Sequence, residues 1–185
     1  AGVPGALVGA MARAYLKSEF RRGGSLETAL KTVNRTIAGE VRRGMYVTVL
    51  AAALDTDTHE LEVASAGHKL PLVHWAHKDR SIRAIQPDGI ALGFDKGPVF
   101  ERGISVRHIP MDEGDRVVLA GTGAVRVINV DGEEIGEKRF YKLFARNAGD
   151  QPAEALDGLL TALEAFADEE PFPTDVSLIV LGRDA

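Results

Sequence analysis

Residues 112–123 read Asp-Glu-Gly-Asp-Arg-Val-Val-Leu-Ala-Gly-Thr-Gly. Asp112-Glu113-Gly114 has turn chemistry. The apolar run that follows, 116–120, predicts a buried strand, and Gly121-Thr122-Gly123 ends it. The same grammar continues on both sides. Residues 46–54 are β-branched and apolar and predict a buried strand, closed by the turn Asp55-Thr56-Asp57-Thr58. Leu61 and Val63 then alternate with Glu60 and Glu62, which predicts a strand with one buried face. Residues 71–75 and 81–85 form a further pair around Lys78-Asp79, residues 104–109 precede the turn at 112, and residues 176–181 form a last strand.

Helical spacing appears before and after these strands. Val8, Met11, Tyr15 and Leu16 define a helix over 5–20 that Gly23-Gly24 terminates. Ser25 caps a second helix whose stripe is Leu26, Leu30, Val33 and Ile37, closed by Gly39 or Gly44. Residues 137–145 and 153–166 are also helical. Short hairpins demand antiparallel pairing. Helices that come in pairs, without alternating with strands, indicate an α+β arrangement and exclude a Rossmann-type sheet. The expected fold is therefore α+β, an antiparallel β-sandwich flanked by pairs of helices, formed by one domain over 1–185.

Composition narrows the function classes. The 185 residues are 45% hydrophobic and 26% charged, with a formal net charge of −5. These are ordinary globular proportions. An acidic chain with no basic tract argues against nucleic-acid binding, and the pairs Arg21-Arg22 and Arg42-Arg43 read as solvated helix ends. The absence of cysteine excludes disulfides, thiolate zinc sites and a cysteine nucleophile. No apolar run reaches membrane-spanning length, and Arg13, Lys17 and Glu19 interrupt the first segment, so neither membrane insertion nor a signal peptide is expected. The expected location is cytoplasmic. The opening Ala1-Gly2-Val3-Pro4 reads as a cut within a longer protein.

The chemistry-bearing features are glycines and carboxylates in loops. Phosphate-cradling loops and nucleophile elbows are absent, and the five histidines show no helical metal pair. In order come Tyr46-Val47-Thr48, Ala66-Gly67-His68, Leu92-Gly93, Glu113-Gly114-Asp115, Gly121-Thr122-Gly123, Asp131 to Gly136 and Thr174-Asp175-Val176-Ser177. On local chemistry alone, His68 and Asp115 organise loops, Gly67, Gly93, Gly123 and Gly136 serve backbone conformations, and Asp175 orients the last strand.

This series resembles the SpoIIE-type (PPM, type 2C) protein serine/threonine phosphatases over nearly the whole chain. That family carries a Gly-Asp-Val-x-Gly-His-Gly opening, then Phe-x-Thr, Ala-Gly-His, Leu-Gly, Pro-Gly-Asp, Thr-Asp-Gly, Asp-Gly-x-x-(Phe/Ile)-Gly and Asp-Asp-(Ile/Met)-Thr. The resemblance implies two manganese or magnesium ions on aspartates that activate water against phosphoserine or phosphothreonine. Here Thr122 takes the aspartate position of Thr-Asp-Gly, and Thr174 that of the first aspartate of Asp-Asp; Asp175 is the residual candidate. The family's opening aspartate would precede Ala1, as would strands whose absence leaves a sandwich edge to pair with another segment or chain. A neutral hydroxyl does not supply the charge a hard cation requires. The resemblance thus implies a degenerate domain, without a metal cofactor, that binds a protein in signalling. Partner switching in a bacterial stress response is one setting, and an anti-sigma antagonist, a kinase or another domain of the same polypeptide could be the partner. The rival reading is an active Mn- or Mg-dependent phosphatase acting on an anti-sigma antagonist, with ligands supplied by a preceding segment and by displaced acids such as Asp112 or Asp175.

Overall fold

A computed structural model describes residues 2–42, 44–149 and 151–184. Ala1 and Arg43, named above in the opening stretch and in a basic pair, lie outside the described residues. The elements are α1 (Gly2–Arg21), α2 (Leu26–Glu40), β1 (Val49–Asp55), β2 (Glu60–Ala66), β3 (Leu72–Ala76), β4 (Ser81–Ile85), α3 (Pro98–Gly103), β5 (Val106–Pro110), β6 (Arg116–Ala120), α4 (Gly136–Asn147), α5 (Pro152–Ala167) and β7 (Leu178–Gly182). A 3-10 turn, Thr122–Val125, follows β6. The chain forms two compact units, one from residues 1–68 and 86–109, the other from residues 69–85 and 110–185. Each unit has one sheet and one main helix pair, and the α+β class with antiparallel pairing is as the sequence implies.

In the first unit the sheet order is β1-β2-β5. β1 and β2 pair antiparallel from Val49 opposite Ala66 to Asp55 opposite Glu60. The α2 stripe of Leu26, Leu30, Val33 and Ile37 is buried with Ala12 of α1 and Ala64 and Ala66 of β2. Ser25 caps α2 through its hydroxyl, which accepts from Thr28 N–H at 3.2 Å. The helix ends differently from the expectation. Gly39 lies inside it, and Val41 closes it in an extended conformation while donating its N–H to Ile37 O. The strand expected over 46–54 begins only at Val49, with Val47 making an isolated bridge to Leu92. Its far end is exposed, and among the described residues β1 has a strand neighbour on one side only. Beyond Glu60 and Glu62, β2 is buried on both faces.

Helix α3 was not expected from the sequence. Pro98 supplies its fixed φ at the first turn. Asp95 Oδ1 accepts N–H groups of Gly97 at 3.0 Å, Val99 at 2.9 Å and Phe100 at 3.2 Å. These donors, Gly97 first, hold the Asp95 carboxyl below its usual range.

In the second unit the sheet order is β4-β3-β6-β7, antiparallel throughout. α4 buries Phe140 and Phe144, and α5 buries Leu159 and Leu163, in one cluster with Val73, Trp75 and Val118. Truncating such a residue to alanine costs about 3–5 kcal/mol for phenylalanine. The Trp75 indole N–H is buried without a hydrogen-bond partner.

The buried carboxylate of Asp115 organises one end of this sheet. Its Oδ2 pairs with His74 Nε2 at 2.8 Å and accepts Asp112 N–H at 3.1 Å, while Oδ1 accepts His77 N–H at 2.9 Å. The Asp115 and His74 side chains are 4% and 5% exposed. Arg183 extends the β6–β7 ladder, donating its N–H to Asp115 O at 3.1 Å and accepting Gly114 N–H at 2.9 Å.

Two outcomes follow from these contacts. Because the Asp95 carboxyl is depressed in the folded state, its contribution is complete above the ordinary value of 3.8 and is lost as pH falls through its lower folded value. The melting temperature of Asp95→Asn should therefore lie below that of the parent at neutral pH, the gap closing on acidification; a gap independent of pH would contradict the assignment. Replacing Asp115 by alanine leaves His74 buried without its carboxylate and should cost about 3–5 kcal/mol in urea-unfolding stability.

Candidate functional site

Thr122 and Thr174 lie on the two loops at one end of β6 and β7. The last rung of this pair is Ala120 opposite Leu178. Beyond it, Gly121 N–H donates to Ser177 O at 2.8 Å, so the chain leaving β6 and the chain entering β7 stay side by side. Thr122 then begins the 3-10 turn, closed by Ala124 N–H on Gly121 O at 3.0 Å. A Cβ added to Gly123 would lie 2.1 Å from Asp175 O and 2.9 Å from Thr174 Oγ1, so only glycine permits this approach. The structure thus brings together Thr122, Gly123, Thr174 and Asp175, which are separated by some fifty positions in sequence.

The donor set there is a poor fit to a pair of hard cations. Thr122, Thr174 and Asp175 are solvent-exposed, and Asp175 is the lone carboxylate among the four. Among the described residues, no group of three or more His, Asp or Glu side chains is arranged to hold a metal ion. Divalent manganese or magnesium relies on several charged oxygens to offset dehydration. Two neutral hydroxyls and one carboxylate do not meet that requirement.

Asp112 does not fill the gap. It precedes β6 whereas Thr122 follows it, and the five residues of that strand separate them by roughly 16 Å at ~3.3 Å per residue. Asp112 instead borders a cleft with Lys78, Glu113 and Arg183. Asp115 sits at that same far end and is engaged by His74 and two backbone donors. Gly136, with φ 66°, opens α4 beyond the 127–135 loop. That loop is drawn together by Asn129, whose Oδ1 accepts Glu133 N–H at 2.8 Å.

Gly67, His68 and Gly93 belong to the first unit. Gly67 follows β2 with φ 71°, and a Cβ there would meet Ala91 N at 2.6 Å. Ser65 Oγ accepts His68 N–H at 3.2 Å and donates to His68 O at 3.3 Å. Gln86 Nε2 reaches the same carbonyl at 3.0 Å. Gly93, with φ 84°, donates its N–H to Asn34 Oδ1 at 2.9 Å, and Asn34 Nδ2 donates to Asp95 O at 3.0 Å. Sequence reasoning missed Asn34, Gln86 and Asn129 as loop-holding residues. For Asn34 a signal existed, a polar residue on the buried face of α2 beside Val33 and Ile37.

Comparison with known proteins agrees with this fold. The family described as Stage II sporulation protein E (SpoIIE) matches residues 1–184. The chain is 25% identical to phosphoserine phosphatase RsbU of Bacillus subtilis (strain 168), over 98% of its own length and 52% of the relative's. It therefore spans about half of that curated relative. The SiaA-PP2C domain of Pseudomonas aeruginosa superposes with a TM-score of 0.79 at 21% identity, over 99% of this chain and 71% of that one. The structure of the RsbU and RsbW domains of Rv1364c from Mycobacterium tuberculosis gives 0.75 at 23% identity, over 97% and 48%. These structural likenesses establish the PP2C-type fold. With motif order, fold and family match in agreement, the chain belongs to the SpoIIE family of PPM-type phosphatase domains.

Proposed function

We propose that this domain has kept the phosphatase fold and given up hydrolysis, and that it acts by binding a protein in a signalling pathway of the partner-switching kind. The observation that carries the reading is the pair Thr122 and Thr174, neutral side chains on adjoining loops where the family pattern places ligand aspartates. Hydrolysis of a phosphoserine by this family depends on metal ions to acidify water and to neutralise charge developing on the phosphoryl group. With Asp175 as the lone acid beside two hydroxyls, neither task has the residues to perform it. The loops themselves are firmly held by the Gly121–Ser177 bond and by the close approach at Gly123. A surface that is rigid and chemically silent suits recognition of a former substrate protein, such as an anti-sigma antagonist or its kinase.

The test measures metal and turnover together. Calorimetric titration of the unmodified chain with manganese should give no saturable heat, and no manganese-dependent phosphate should be released from p-nitrophenyl phosphate or a phosphoserine protein. The double substitution Thr122→Asp with Thr174→Asp should raise manganese affinity at least tenfold, about 1.4 kcal/mol. Robust manganese-dependent turnover by the unmodified chain would reverse the reading in favour of an active phosphatase.

A further inference from the structure

Helices α4 and α5 carry opposite charge on their outer faces. On α4, Phe140 and Phe144 are buried, and the opposite face presents Lys138, Lys142 and Arg146, four residues apart and exposed. This row is about 12 Å long, from a rise of ~1.5 Å per residue. None of the three forms an ion pair among the described residues, whereas Arg139 is taken up by Glu133 and by the ring of Phe166. On α5, Ala155, Leu159 and Leu163 are buried, and Glu154, Asp157, Thr161 and Glu164 line the exposed side. Residues 147–182 contain no Lys, Arg or His. The short connection 148–151 makes the two helices antiparallel neighbours. They share one buried cluster, and a Cβ on Gly158 of α5 would lie 2.4 Å from Asn147 Oδ1 of α4. Packed helix axes lie about 8–10 Å apart, so the row of cations and the row of acids run roughly one Debye length from each other. Like charges four apart disfavour the helix that carries them, so this segregation does not serve stability.

We propose that this charge-striped helix pair is a docking surface for a protein partner that lays an acidic helix along α4. The inference rests on the reading that the domain binds a protein, and not on the loss of hydrolysis. α4 lies against the 3-10 turn that begins at Thr122, so a partner seated on that turn reaches the row of cations. Acids recurring at every fourth residue of the partner helix face Lys138, Lys142 and Arg146 in turn. Exposed ion pairs add little affinity singly. Their pattern governs the rate of association and the choice of partner. The acids of α5 supply the choice. A DNA duplex or an anionic membrane presents negative charge across both helices, and it meets Glu154, Asp157 and Glu164 as soon as it meets α4. A single acidic helix, about as wide as α4 itself, escapes that repulsion.

The experiment follows the amide resonances of the full chain by NMR against four probes at low salt. These are an alanine-based helical peptide with glutamate at every fourth position, the same peptide with lysine instead, a DNA duplex, and vesicles containing phosphatidylserine. The glutamate peptide should shift the amides of 138–146 saturably and lose at least tenfold in affinity at high salt. The lysine peptide should leave those amides unmoved, and the duplex and vesicles should bind at least tenfold more weakly than the glutamate peptide. Lys138→Glu with Lys142→Glu should abolish the response while circular dichroism and Trp75 emission stay as in the parent. Glu154→Lys with Asp157→Lys should admit the duplex, with affinity raised tenfold or more. Amides of 138–146 that ignore the glutamate peptide would overturn the proposal, as would a duplex or vesicle that binds the parent as tightly as that peptide. An α5 variant that still refuses the duplex would remove the selective role of the acids. Shifts of the same amides with protein concentration alone would mean that a second copy takes the face. Phosphate release on the same samples separates the two readings, since manganese-dependent turnover would unseat the loss of hydrolysis and leave the docking result standing.

Discussion

The Asp115 carboxylate is the constraint on which the second unit depends. It joins the end of β3 to the turn ahead of β6 by accepting from His74, His77 and Asp112. A charge buried to this degree persists only when several donors surround it, and those donors come from separate segments. Fixing the start of β6 fixes its register against both β3 and β7. The far end of β6 then delivers Gly121, Thr122 and Gly123 against the 174–177 segment. The site therefore inherits its geometry from a polar cluster a strand's length away that takes no part in it.

The two threonines take no part in either the polar or the apolar core of this unit. Thr122 and Thr174 are exposed, and neither contributes to the cluster of Phe140, Phe144, Leu159 and Leu163. The contact that holds their loops together is between backbone atoms, Gly123 against Asp175 O, with Gly121 on Ser177 O. The Thr174 hydroxyl oxygen lies beside the same approach, 2.9 Å from where a Gly123 Cβ would sit. Likeness in fold does not by itself carry activity with it.

Most strands and helices were legible in the sequence because their apolar spacing differs, period two in β2 and near 3.6 in α2 and α5. The turn at Asp112 to Gly114 and the strand 116–120 were read as they stand. Misreadings fell where tertiary contacts override local pattern. Residues 46–48 look like strand, but β1 has one neighbour and the ladder starts at Val49. Helix α3 is too short for periodicity to reveal, and what stabilises it is the Asp95 carboxylate acting over five residues. Motif order placed Thr122 and Thr174 in the site, yet their adjacency across some fifty positions became visible only with β6 beside β7. Asn34, Gln86 and Asn129 escaped because a side-chain amide that ties a distant loop leaves little trace in a linear pattern.

Trp75 gives the molecule an optical asymmetry. It is the single tryptophan of the chain and is 8% exposed within the second unit. It shares a buried cluster with Phe140 and Phe144. Of the three tyrosines, Tyr15 and Tyr46 belong to the first unit and Tyr141 to the second. Indole emission therefore reports on the unit that carries Thr122 and Thr174. Loosening of the second unit would therefore show in the intensity and wavelength of a single indole, without any label.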